Sequence, residues 1–168
     1  ALALEASVDL SRFDPACGIR IERQGASLRA EWDADGKKSA AVFSLDPAKP
    51  LFESLEAGGV AVARNARPIF TVTTGSRTER ANERYIFFDK PASRPTKTEE
   101  AALDLKAVRV ESTGHRAAII FSKLTAGPFT GELVVRIYAG SPFLQVEAAL
   151  SNQENLLAYI YDFQIEGE

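Results

Sequence analysis

Arg136, Tyr138, Gln145 and Glu147 are the residues of this sequence whose types and spacing best suit a polar ligand. A guanidinium donates hydrogen bonds, a carboxylate accepts them, an amide does both, and a tyrosine adds a flat ring with a polar tip. Such a set can bond hydroxyl groups while a neighbouring aromatic, Phe143, stacks on an apolar ring face. The same residues also fit a solvated sheet face carrying a surface ion pair, because antiparallel sheets commonly have one wet side.

Other chemistries find less support. Glu132, Glu147, Asp162 and Glu166 could supply the paired carboxylates of glycoside hydrolysis, but nothing in the sequence sets their separation. His115 is the only histidine and sits in a Thr-Gly-His-Arg run that reads as a turn. It has no companion for Ser–His–acid catalysis and none for a multi-histidine metal site. Cys17 is the only cysteine, so neither an intrachain disulfide nor a Cys-rich zinc site can form. Asp33-Ala-Asp35-Gly36 lacks the rest of a calcium loop and reads as a tight turn. Gly58-Gly59 stands without a phosphate-loop or dinucleotide pattern around it. No metal and no cofactor is expected.

Six aromatics fall on expected strands: Trp32, Tyr85, Tyr138, Phe143, Tyr159 and Tyr161. Aromatic faces stack on the C–H surfaces of sugars, so carbohydrate is the ligand class these residues suit. A β-sandwich needs bulky inward residues, so one or two of the six at most are expected to be free for a ligand.

The element that must position the candidate site is a β-hairpin spanning Glu132–Asn152. Two runs of period-2 alternation flank Ala139-Gly140-Ser141-Pro142. A two-residue turn at Gly140-Ser141 would need Pro142 to donate the closing hydrogen bond, and proline has no N–H. A four-residue loop closed by Tyr138 and Phe143 follows. That register pairs Ile137 with Leu144, Val135 with Val146 and Leu133 with Ala148 on a face that must be buried. Val134, Arg136, Tyr138, Phe143, Gln145 and Glu147 then share the other face, with Arg136 diagonal to Glu147.

Along the rest of the chain, strands are expected within 8–23, at Leu28–Trp32, Ser39–Leu45, Val60–Ala63, Pro68–Thr74, Arg84–Phe88, Leu105–Glu111, Arg116–Ser122 and around Tyr159–Ile165. Leu51–Leu55 reads as a short extended piece or one helical turn. Gly75–Glu83 reads as an exposed loop. Thr96 with Glu99 forms a capping-box pattern and predicts a helix of at most two turns through Leu105. Roughly ten to twelve short strands with little helix give an all-β fold, an antiparallel β-sandwich or barrel.

Length and composition agree with one soluble domain over residues 1–168, with 45% hydrophobic and 26% charged residues. The net charge of −3, with both signs interleaved, argues against a nucleic-acid partner. No apolar run reaches the roughly 20 residues needed for a membrane-spanning helix. The sequence contains no methionine and starts at Ala1, so a longer natural chain is expected. Ala1-Leu2-Ala3 resembles the small-residue end of a secretory signal; a periplasmic or secreted location fits, as does a cytoplasmic one.

Arg136, Tyr138, Gly140, Pro142, Phe143, Val146 and Asn152 make a hairpin that resembles one in the β-supersandwich domains of carbohydrate-active enzymes. These include exo-acting rhamnogalacturonan lyase-like proteins and relatives with the galactose mutarotase-like fold. Pro50–Leu55, Val60 and Pro68–Val72 are similar to the opening of such domains. The resemblance covers about a third of the chain, and its motifs are mainly structural. It implies a supersandwich-like module, the N-terminal part of a longer polysaccharide-processing lyase or hydrolase. Its expected partners are carbohydrate and a catalytic or other domain of the same parent chain. His115 has no matching motif around it, so no epimerase or lyase residue carries over. Two alternatives stand beside this reading: an autonomous mutarotase-like epimerase or lyase, and a structural or protein-interaction sandwich without ligand.

Overall fold

A computed structural model of the chain describes residues 6–76 and 95–168. Twelve strands account for nearly all of the regular structure in it. In chain order they are β1 (Ser7–Arg12), β2 (Ile19–Gln24), β3 (Ser27–Ala34), β4 (Lys37–Ser44), β5 (Phe52–Ala57) and β6 (Val60–Ser76). They continue with β7 (Thr96–Glu100), β8 (Ala102–Thr113), β9 (Arg116–Ala126), β10 (Phe129–Tyr138), β11 (Leu144–Ser151) and β12 (Leu157–Glu166). One sheet runs β1-β8-β9-β10-β11, and the other runs β12-β6-β5-β4-β3-β2, with β7 laid against β6. All pairings are antiparallel except β1 with β8. The result is the all-β sandwich that the strand density predicts. The strand expected at Arg84–Phe88 lies outside the described residues.

Alternation decides which side chains enter the core. Ile119 and Phe121 of β9 and Leu133, Val135 and Ile137 of β10 point inward and are fully buried. From the second sheet they meet Leu28, Phe43 and Phe52. Phe43 lies 5.5 Å from Phe52 and 5.7 Å from Phe121, centroid to centroid, so one ring joins the two layers. Trp32 is buried as well, and its indole N–H donates to the Ser141 carbonyl at 2.6 Å. The second sheet thereby holds the β10–β11 loop. The Gly140 amide donates to the Asp33 carbonyl and the Ala139 amide to that of His115, fixing the same loop from two further directions.

Two expectations are corrected, and an open alternative is decided. Thr96–Leu105 is not helical: Thr96–Glu100 is β7, and Leu105 lies within β8. A two-turn helix is marginal without tertiary support, whereas Thr96–Glu100 pairs residue for residue with Thr71–Gly75 of β6. The Thr73 and Thr98 hydroxyls also meet at 2.7 Å. The only helical piece described is a 3-10 turn at Pro15–Cys17, with Asp14 accepting the Ala16 amide. Second, Val60–Ala63 and Pro68–Thr74 are parts of one continuous strand, β6, and Gly75 and Ser76 extend it into what reads as loop. Asn65 takes a φ of 47° within β6. Pro68 is tolerated because it falls between Ala66, the last residue of β6 paired with β5, and Thr71, the first paired with β7. Of the two readings open for Leu51–Leu55, the extended one holds: Phe52–Leu55 form the start of β5.

Candidate functional site

The β10–β11 register is the expected one: Ile137 opposite Leu144, Val135 opposite Val146, Leu133 opposite Ala148. The Ser141 amide donates to the Tyr138 carbonyl inside the connection Ala139–Phe143, which is one residue longer than the expected four because Phe143 lies outside β11. Arg136, Tyr138, Gln145 and Glu147 therefore project together from the outer face of the first sheet. They occur as two bonded pairs. Arg136 donates to Glu147, and the Tyr138 hydroxyl donates to the Gln145 side-chain oxygen at 3.2 Å. Beside them Phe143 is 77% exposed.

The same face carries a second arginine–carboxylate pair that the sequence reading does not assemble. Arg109 of β8 grips Glu132 of β10 with both terminal nitrogens, at 2.6 and 2.9 Å, and its Nε reaches Glu111 at 3.3 Å. Arg12 of β1 reaches Glu111 at 3.4 Å. Ile120 and Val134, which point outward between these groups, are only 5% exposed. Long charged side chains lying over apolar neighbours account for such burial. Arg109 belongs to an alternating run legible in the sequence, but no local signal says that β8 lies two strands from β10.

Glu132's carboxyl is held below the ordinary glutamate range, first by the hydrogen bond from Arg109, against a partial desolvation that pushes the other way. It is thus a charged acceptor at neutral pH and a poor proton donor, whereas a glycosidase acid needs its pKa raised. The other three acids are also engaged: Glu147 by Arg136, Glu166 by Arg67, and Asp162 by the Phe163 amide. His115 is exposed in the β8–β9 turn. What the outer face offers is fixed, charged hydrogen-bonding groups rather than an acid–base pair.

A pH dependence follows from the depressed Glu132 pKa. The Arg109–Glu132 pair contributes its stability in full above the unfolded glutamate pKa of about 4.3 and loses it as pH falls through the lower folded value. Glu132→Gln is expected to lower unfolding free energy by about 1 kcal/mol at pH 7, a small figure because both side chains are about one-third exposed. The difference from wild type should shrink below about pH 4. Urea titrations at pH 7 and pH 3 check this; a difference that grows on acidification contradicts it.

A second feature lies between the layers. A groove of about 400 Å³ opens where β11 and β12, both at sheet margins, face each other. Val146, Ala148 and Leu150 line one wall, and Tyr159, Tyr161 and Phe163 the other. Tyr161 stacks on Phe70 at 5.9 Å, and Tyr159 meets Phe129 edge-on at 5.1 Å. Glu147 links the groove to the outer face. Exposed aromatics are more numerous than expected: Phe143, Tyr159 and Tyr161 are all accessible, while Trp32 is buried. Tyr85 lies outside the described residues.

A comparison with protein-family models returns no match for this chain, and a comparison with curated proteins returns none either.

Proposed function

We propose that this chain is a β-sandwich module of a polysaccharide-processing protein, a lyase or glycoside hydrolase with a supersandwich-like domain. In this reading it holds carbohydrate on the outer face of the β10–β11 hairpin. The observation that carries the reading is the grouping of Arg136, Glu147, Tyr138 and Gln145 in two bonded pairs beside the exposed Phe143 ring. Each pair holds its partners' side chains in place, so less rotamer freedom remains to be lost on binding. Guanidinium N–H groups and carboxylate lone pairs not used within the pairs can bond sugar hydroxyls, and Phe143 can stack on a ring face. The hairpin's resemblance to those of carbohydrate-active enzymes points the same way. The engagement of Glu132, Glu147 and Glu166 with arginines favours binding over turnover by this chain.

The test is titration calorimetry with a panel of neutral and uronic-acid-containing oligosaccharides. Wild type is expected to bind at least one of them. Arg136→Ala combined with Glu147→Ala should weaken it at least tenfold, and Phe143→Ala should weaken it as well. Equal affinity in wild type and double variant, or no binding by either, removes the ligand role from this face.

A further inference from the structure

We propose that the edge of β12 left open among the described residues receives a strand from a partner protein. That strand would carry apolar residues at alternate positions and lysine or arginine between them. The proposal concerns backbone groups of the second sheet, across the groove from the β10–β11 hairpin, and does not depend on sugar binding.

Among the described residues β12 is paired along one side only, with β6. Three observations fix which of its backbone groups remain open. Ile165 stands opposite Pro68, which has no N–H to give. The Phe163 amide bonds to the Asp162 side chain instead of to β6. The carbonyl of Phe70, opposite Phe163, turns away to accept the Ala101 amide. The odd-numbered residues of β12 therefore direct their N–H and C=O groups away from β6, and Tyr159 and Tyr161 present theirs to the open edge.

The side chains of those odd-numbered residues are apolar and accessible; Tyr161 is 65% exposed, and Ile160 on the opposite face is 48% exposed. Among the described residues this is a ten-residue strand unpaired on one side and bearing Tyr159, Tyr161, Phe163 and Ile165, the kind of edge that sheets normally shorten, charge or cover. Side chains on one face of any strand repeat every two residues, so an added strand brings its own apolar residues level with Tyr159, Tyr161 and Phe163 and closes the groove.

Charge selects the occupant. β12 carries Asp162 and Glu166 and no basic residue; Arg67, shared with Glu100, pairs with Glu166 and not with Asp162. Asp162 bonds the Phe163 amide, which places its carboxylate at the free edge. A second copy of this chain fits poorly. In a two-fold antiparallel pairing, the registers that overlap most of β12 set the two Asp162 carboxylates directly or diagonally opposite, a repulsive contact. A strand with a cation near Asp162 meets no such penalty.

The probe is a labelled, end-capped nine-residue peptide alternating valine or tyrosine with lysine. It is compared by fluorescence anisotropy with a glutamate-for-lysine version and with a scrambled lysine version. Wild type is expected to bind the alternating lysine peptide at least tenfold more tightly than either control. Tyr161→Pro should lose at least tenfold: it removes an outward N–H and spares the β6 ladder, which circular dichroism checks. Asp162→Lys should reverse the lysine–glutamate preference, and this arm stands even if the proline variant unfolds. No binding of the lysine peptide, or equal binding of the scrambled one, overturns the proposal. So does a wild-type dimer in sedimentation that Tyr161→Pro dissolves, because the occupant would then be a second copy. An oligosaccharide that binds wild type and is lost in Tyr161→Pro would assign the groove to sugar instead.

Discussion

Phe43→Ala is expected to remove about 4 kcal/mol of unfolding free energy, a large share of the roughly 5–15 kcal/mol typical of a domain. Phe43 is fully buried and is the ring that touches both Phe52 of its own sheet and Phe121 of the other. Truncation therefore forfeits burial, two tilted aromatic contacts and the filling of the space between the layers. Backbone ladders on both sides hold the sheets apart, so the void can collapse only partly. Urea unfolding should show a lower midpoint with an unchanged slope, since the surface exposed on unfolding hardly changes. Phe43→Leu, which keeps most of the volume, should lose no more than about 1.5 kcal/mol. A loss below about 1 kcal/mol for the alanine variant would mean that the layers close readily over the gap and that Phe43 does not tie them.

Gly131→Ala is expected to destabilise by at least about 2 kcal/mol and to disorder the start of the β10–β11 ladder. Gly131 lies opposite Leu150, and a Cβ built there would strike the backbone carbonyl of Ala149, which cannot swing aside as a side-chain tip can. The pairing of β10 with β9 also shifts register between Gly131 and Glu132, so the strand already bends at this point. Gly140→Ala supplies the comparison. Its φ of +88° makes alanine strained, but nothing lies within 4 Å of the new Cβ. It should cost only about 1 kcal/mol. Hydrogen exchange on the hairpin amides separates the two. Gly131→Ala should raise exchange near Thr130–Glu132, and Gly140→Ala should affect only the loop. Equal effects would mean that the Ala149 carbonyl yields and that close approach is not why glycine stands there.

The candidate site was legible to the extent that it depends on one hairpin. Alternation gives the two faces, and Pro142 leaves a single register with Leu133, Val135 and Ile137 inward, so Arg136 must meet Glu147. Arg109 joins that face only because β9 lies between β8 and β10. The Arg109–Glu132 contact spans 23 positions of chain and leaves no trace in local pattern. The exposed stripe on β12 was readable as a set of residues sharing a face, but not as exposed. Alternation says which residues point one way, and the strand facing them across the groove decides whether they are covered.

The sequence alone determined the all-β class, most of the turns and the orientation of the hairpin side chains. These rest on short-range physics: the two-residue period of a strand, the missing N–H of proline, and the positive φ that Asp35-Gly36 and Gly140 adopt in their turns. Only the tertiary structure decided that Thr96–Glu100 is a strand. Its capping-box pattern competes with a full ladder to Thr71–Gly75, and a cap worth about 1 kcal/mol cannot hold a two-turn helix against that pairing. It likewise decided that Val60–Ser76 runs unbroken through Pro68. The cost of proline in a strand depends on whether a neighbour needs its N–H, and that is set by where β5 ends and β7 begins.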